Sequence, residues 1–211
     1  MDGYKDIERF SAGVCKVAFV EKIENKERYL LKIYPNHYCL VADMERIRSF
    51  EGTKFRVPKI IKASDREMLM ENVAGRTVGQ ELVDGPMFKI QMLAGNFLKV
   101  LKEFYEVTEG AVIDRINFNS YIMKAALIYS FDFVEVSEKG DFDDMVAETI
   151  AEVLIDEKIA DMRKALFVRE FMRVNETPIL KYKDKCLKLL EKYIEEYGMD
   201  ETPESLFRKV G

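Results

Sequence analysis

Histidine is nearly absent. His37 is the only one in the chain, and that scarcity removes much of the chemistry available to a protein of this size. A Ser-His-Asp or Cys-His nucleophile would depend on His37, whose setting in Pro35-Asn36-His37-Tyr38 reads as a loop entering a helix. Zinc fails on the same ground, because His37 and Cys39 leave a tetrahedral site two ligands short. Cysteine is sparse as well. Cys15, Cys39 and Cys186 are odd in number and contain no Cys-x-x-Cys pair, which fits reduced thiols rather than a disulfide frame. No run approaches the ~18 apolar residues of a membrane span. Residues 1–20 lack a basic stretch leading into an apolar segment, so the expected compartment is the cytoplasm. No internal repeat or low-complexity linker interrupts the chain. Positive charge is not in excess either. A net charge of −5 and a pI near 5.2 argue against a general nucleic-acid binder. The densest basic cluster, Lys181, Lys183, Lys185 and Lys188, runs into Glu191, Glu195 and Glu196 and reads as a solvated helix face.

What is present is enough apolar sequence, 48% of 211 residues, to bury one or two cores. Lys16 to Glu21 and Arg28 to Tyr34 are aliphatic and aromatic runs around Glu24-Asn25-Lys26, the pattern of a hairpin. By the period of two, Tyr29, Leu31 and Ile33 share one face of the second strand, and Leu30 and Lys32 share the other. A lysine buried there needs an anion, for which a phosphate would serve; a snorkelling edge-strand lysine is the alternative. Before the hairpin, Gly13 is the one glycine in the stretch from Phe10 to Val17, at a point where backbone amides could approach a phosphate. Leu40, Met44 and Ile47 recur at helical spacing. Glu45 lies where that helix could carry it toward Lys32, or where it could pair with Arg46 or Arg48 on the surface. Val57 to Ile61 and Glu67 to Glu71 read as two more strands around a Ser64-Asp65-Arg66 turn.

From Asp84, a candidate N-cap, the period becomes helical, with Leu93, Phe97, Leu101 and Phe104 as its stripe. Then comes Ile113-Asp114-Arg115-Ile116-Asn117-Phe118-Asn119, followed by a strand, a turn through Lys124 and Ala125, and a return strand from Leu127 to Phe131. Asp132 stands between Phe131 and Phe133, where an ionised carboxylate needs a partner such as a metal. Asp114 and Asn119 also suit turns in their own right. Phe142, Met145, Val146, Thr149, Ile150, Val153 and Leu154 form a second helical stripe, and Leu187, Leu190, Ile194 and Tyr197 a third. Thr202-Pro203-Glu204 reads as the cap and first turn of a last helix.

Taken in order over about residues 7 to 150, these features resemble the protein-kinase-like fold. The resemblance is to its small atypical branches, the aminoglycoside and choline phosphotransferases and the small archaeal-type and RIO-like kinases. It implies an α+β, two-lobed fold with an antiparallel-sheet N-lobe over residues 1–75 and a compact helical C-lobe over 76–211, with ATP in the cleft. It gives Lys32 the phosphate contact, with Glu45 as its helix partner, and gives Gly13 a place in the phosphate loop. Glu71 and Val73, in Leu69-Met70-Glu71-Asn72-Val73, become backbone partners of adenine. Asp114 becomes the catalytic aspartate, and Asn119 and Asp132 the magnesium ligands. The implied activity is transfer of the γ-phosphoryl group of Mg-ATP to an acceptor hydroxyl. Two features depart from the family pattern. Val112 and Ile113 stand where a histidine usually braces the catalytic loop, and Val134 replaces the glycine of an Asp-Phe-Gly triplet, which favours a small-molecule acceptor. The first departure leaves open a pseudokinase or nucleotide-gated interaction module with a protein partner. A small ATPase or kinase subunit of a tRNA-modification assembly is a further alternative, recognisable by copurification.

Overall fold

The computed structural model describes residues 3–12 and 14–210, the side chains of 10–12 excepted. The phosphate-loop glycine expected at Gly13 therefore lies outside the described residues. In chain order the elements begin β1 (Tyr4–Ala12), β2 (Cys15–Lys22), β3 (Arg28–Ile33), α1 (His37–Ser49), β4 (Ile60–Ser64), β5 (Glu67–Glu71) and β6 (Arg76–Thr77). There follow α2 (Val78–Asp84), α3 (Met87–Val107), β7 (Val112–Ile113), a 3₁₀ turn (Phe118–Ser120), β8 (Tyr121–Lys124), β9 (Leu127–Ser130) and β10 (Val136–Ser137). The last elements are α4 (Phe142–Ile155), α5 (Asp161–Asn175), a second 3₁₀ turn (Ile179–Tyr182), α6 (Lys183–Tyr197) and α7 (Pro203–Phe207). The class is α+β. No helix among the described residues is long and apolar enough to cross a membrane.

The chain divides into two units. The first runs to Val78 and takes in Asn117–Glu135; the second is Gly79–Ile116 with everything from Val136 onward. A single boundary after residue 75 misses this, because the β8–β9 hairpin returns to pair with β6, Arg76 against Met123 and Thr77 against Ile122. Gly75 permits that approach. A Cβ there would lie 2.2 Å from the Met123 carbonyl oxygen.

The first unit is built on a five-stranded antiparallel sheet in the order β1-β2-β3-β5-β4. Ala18, Val20, Leu31 and Leu69 form the core of one face, with Tyr4, Tyr29 and Ile33 packed on it, as the alternation in β3 anticipates. Two strand ends differ from the expected ones: β4 begins at Ile60 rather than Val57, and β9 ends at Ser130, leaving Phe131, Asp132 and Phe133 outside the ladder. The entry to α1 is capped by Asn36, whose side chain accepts from the Cys39 amide at 2.9 Å. His37, the first helical residue, is exposed, and its Nδ1 lies 2.8 Å from the Asp65 carbonyl oxygen.

In the second unit Asp84 is the last residue of α2 rather than an N-cap, and α3 starts after Pro86. The Gly85 amide closes α2 on the Glu81 carbonyl, and proline then fixes the backbone that enters α3. Residues left out of the periodic reading hold this corner. Buried Arg163 of α5 donates to the carbonyls of Glu81 (2.8 Å), Leu82 (2.5 Å) and Gly85 (2.6 Å), satisfying the free end of α2. The N-cap of α4 is Asp141, and Thr202 opens α7 with a capping box.

One helix of this unit carries a pH dependence. Glu148 and Glu152 are one turn apart on α4, and the buried Oε2 of Glu152 has no hydrogen-bond partner among the described residues. Burial, and after it the charge of Glu148, pushes the Glu152 carboxyl up to about 8, with Arg115 opposing and Asp156 and Glu196 adding to the rise. Between its ordinary value near 4.5 and about 8 the folded chain holds a proton that the unfolded chain has released. Stability must then fall as pH rises through that window, by at most about 1.4 kcal/mol per unit from this group. Thermal melts from pH 5 to 8 should show that decline, and Glu152→Gln should flatten it and melt higher than the parent at pH 8. A variant whose slope matched the parent would remove Glu152 as its source.

Candidate functional site

In the first unit Lys32 meets one of the expected residues, Asp132, together with Asp43, which was not expected. In β3 Lys32 sits between Val17 of β2 and Met68 of β5, and its side chain is fully buried. Its ammonium donates to Asp43 Oδ2 at 2.6 Å, to Asp132 Oδ1 at 2.6 Å and to the Phe131 carbonyl at 3.1 Å. Burial works to strip that proton, but the two carboxylates outweigh it and hold the Lys32 pKa above its ordinary value, so the group remains an ammonium. This is no snorkelling lysine.

Its helix partner is Asp43, and Glu45 is exposed. Leu40, Asp43 and Ile47 make the buried stripe of α1, so a residue two places beyond Asp43 points nearly the opposite way. Asp43 is also fastened elsewhere. Its Oδ2 accepts from the Tyr34 hydroxyl and its Oδ1 from the Phe133 amide at 2.8 Å, which with Lys32 gives three donors, the setting of an ionised carboxylate. Burial, then the Asp43 charge, keeps the Tyr34 phenol protonated. Burial pushes the neighbouring Cys15 thiol up to about 12 against the opposing Lys32 charge, so this cysteine is unreactive.

Asn119 precedes the β8 end of the β8–β9 ladder and Asp132 follows the β9 end. Tyr121 pairs with Ser130, and the Phe131 amide donates to the Ser120 carbonyl at 3.1 Å just beyond that pair. The Asn117 side chain accepts from the Asn119 amide at 2.9 Å, and Asn119 Oδ1 accepts from the Thr77 hydroxyl at 3.0 Å. Asp132 gives one oxygen to Lys32, while the other has, among the described residues, a single long contact, 3.4 Å from the Ser120 hydroxyl. At the end of β5 Glu71 gives its amide to the Lys59 carbonyl at 2.9 Å, and Val73 is buried just beyond.

Among the described residues no three His, Cys, Asp or Glu side chains form a metal-ligand set. Asn119 and Asp132 carry oxygen donors of the kind magnesium takes when held with a nucleotide, an ion that keeps several waters and needs only one or two protein oxygens besides phosphate. They do not fit a metal bound alone. Millimolar magnesium without nucleotide should leave the melting temperature unchanged within error, and a rise of several degrees would reveal a dedicated metal site.

Asp114 belongs to the second unit. It follows β7, is exposed, and accepts from the Ser137 hydroxyl at 2.9 Å, with Ser137 positioned by the pairing of β10 with β7. The next two residues are tied down. Arg115 pairs with Glu196 at 2.9 Å, hydrogen-bonds the Tyr197 hydroxyl and lies over the Tyr193 ring at 5.1 Å. The Ile116 amide donates to Glu148 Oε1 at 3.3 Å, an oxygen that also accepts from the Tyr193 hydroxyl. Glu148, Tyr193 and Asp43 are the residues that sequence reading passed over. Each sits within an apolar helical stripe, where an acid or a hydroxyl is itself a signal of a buried partner.

No family model matches the chain, and no curated protein matches it either.

Proposed function

We propose that this chain is a two-lobed, kinase-like phosphotransferase that moves the γ-phosphoryl group of Mg-ATP to the hydroxyl of a small acceptor. The observation that carries the reading is Lys32: a fully buried ammonium in a central strand, met by one carboxylate from the following helix and one from just beyond a later hairpin. A purely structural pair needs only one acid. Asp132, with one oxygen only lightly engaged, can also hold a metal, and Asn119 is the second ligand in this reading. Lys32 then gives up its bond to Asp132 for a phosphate oxygen when the nucleotide binds and Asp43 holds Lys32 in place, while the chain near Glu71 and Val73 meets adenine. Magnesium, when bound with the nucleotide, supplies charge that offsets the phosphate oxygens. Asp114 orients the acceptor hydroxyl and takes its proton as the oxygen bonds to the γ-phosphorus and the β,γ-bridging oxygen leaves with ADP.

The test is thermal. At about a hundredfold excess over its dissociation constant, Mg-ATP should stabilise the fold by ~2.7 kcal/mol, a melting shift of roughly 5 to 10 °C for a chain of this length. Asp132→Asn should lose most of that shift. A wild-type melting temperature indifferent to millimolar Mg-ATP would sink the assignment. A second reading, a nucleotide-binding interaction module without turnover, is favoured by one observation: Val112 and Ile113 before Asp114 are buried and apolar, so no polar side chain from those places braces the carboxylate.

A further inference from the structure

We infer that the acceptor carries an anionic group, a phosphate or a carboxylate, and that Lys188 of α6 recognises it in a pocket of the second unit that opens at Asp114. The inference rests on the phosphotransfer reading. The pocket holds about 310 Å³ and is lined by Val112 and Asp114 at the end of β7, Asp144 and Glu148 of α4, and Lys185 and Lys188 of α6. That volume suits a small metabolite.

Two of its charges lack a counter-charge among the described residues, Asp114 and Lys188. Lys185 is held by Asp144 at 2.6 Å and by Asp141 at 3.3 Å. Glu148 is committed to the Tyr193 hydroxyl and the Ile116 amide, and burial raises its pKa toward the neutral form. Asp114 keeps its Ser137 contact and, in the proposed reaction, is reserved for the acceptor hydroxyl. Lys188 is exposed and has neither an ion pair nor a hydrogen bond among the described residues. A cationic acceptor would find Asp144 and Glu148 engaged, would have to take Asp114 away from the hydroxyl, and would be repelled by Lys188. A neutral polyol would leave Lys188 unanswered. An anionic group pairs with it while the hydroxyl of the same molecule faces Asp114.

The experiment titrates the full chain with glycerol 3-phosphate and glycerate as anionic probes, and with glycerol and ethanolamine as their uncharged and cationic counterparts. It is repeated on Lys188→Gln and on Lys183→Gln, a change at an exposed α6 position that does not line the pocket. Melting curves verify that each variant is folded. At least one anionic probe should bind about tenfold or more tighter than glycerol and ethanolamine, a preference lost in Lys188→Gln and kept in Lys183→Gln. The relative strength of the two anionic probes tells phosphate from carboxylate. Equal binding of all four probes, no binding by either anion, or an anion preference that survives Lys188→Gln overturns the inference. Mg-ATP melting shifts on the wild-type chain are read separately. A chain that answers Mg-ATP but shows no Lys188-dependent preference keeps phosphotransfer and loses the anionic acceptor. One that prefers the anion through Lys188 but ignores Mg-ATP keeps the pocket and loses phosphotransfer.

Discussion

Asp43→Ala lowers the stability of the chain by about 3 to 5 kcal/mol, the range measured when one partner of a buried ion pair is removed. For a protein of this length that is a melting-temperature drop of very roughly 6 to 20 °C. The reason is the number of groups left behind. Lys32 keeps Asp132 but loses its closest fully buried counter-charge, and the Tyr34 hydroxyl and the Phe133 amide each lose their acceptor away from water. Asp43→Asn should fall between parent and alanine, because it keeps an acceptor and gives up the charge. Glu45→Ala is the internal control, an exposed change two residues away that should stay within about 0.5 kcal/mol. Equal melting temperatures for the two alanine variants, or a larger loss at Glu45, would show that Lys32 is held from another side than the one described.

The choice between Asp43 and Glu45 marks how far this site can be read from residues alone. Alternation in β3 puts Lys32 on the face opposite Tyr29, Leu31 and Ile33, and the structure agrees. The stripe of α1 is equally readable at Leu40 and Ile47. What fails is the step between them. A helix turns about 100° per residue, so Asp43 and Glu45 differ by about 200°, and only the former shares the buried face. An aspartate on such a stripe is discounted as a polar interruption until its basic partner is known to be across from it. Kinase resemblance supplied a glutamate where the geometry uses the shorter acid. The α5 helix was missed for a related reason: Arg163, Lys164 and Glu170 occupy buried positions and break the apolar period, yet two of them are satisfied by backbone carbonyls. The unit boundary was beyond local reading altogether, since the pairing of β6 with β8 joins residues more than forty positions apart. By contrast, the turn of the β8–β9 hairpin and the capped start of α7 follow from short-range turn and cap chemistry, and both stand where the sequence puts them.

Asp114→Ala separates chemistry from binding. In the proposed reaction this carboxylate meets the acceptor hydroxyl and leaves the nucleotide to Lys32, Asn119 and Asp132, so the variant should bind Mg-ATP within a few fold of the parent. Turnover should fall by about 10²- to 10⁴-fold, the usual contribution of a positioned general base, or roughly 3 to 5 kcal/mol in the barrier. The local structure favours a clean result. Asp114 is exposed and its one hydrogen bond among the described residues is to Ser137, whereas the neighbouring loop is held independently by Arg115 on Glu196 and by the Ile116 amide on Glu148. Truncating the carboxylate should therefore leave the loop in place and the melting temperature nearly unchanged. The apolar Val112 and Ile113 before it supply no polar brace, so wild-type turnover is expected to be slow, and the comparison needs long incubations with direct detection of ADP and phosphate. If parent and variant release phosphate at the same background rate while both bind Mg-ATP, Asp114 has no role in turnover and the chain is a nucleotide-binding interaction module. A variant that also loses Mg-ATP binding would place Asp114 in the nucleotide site instead of the acceptor site.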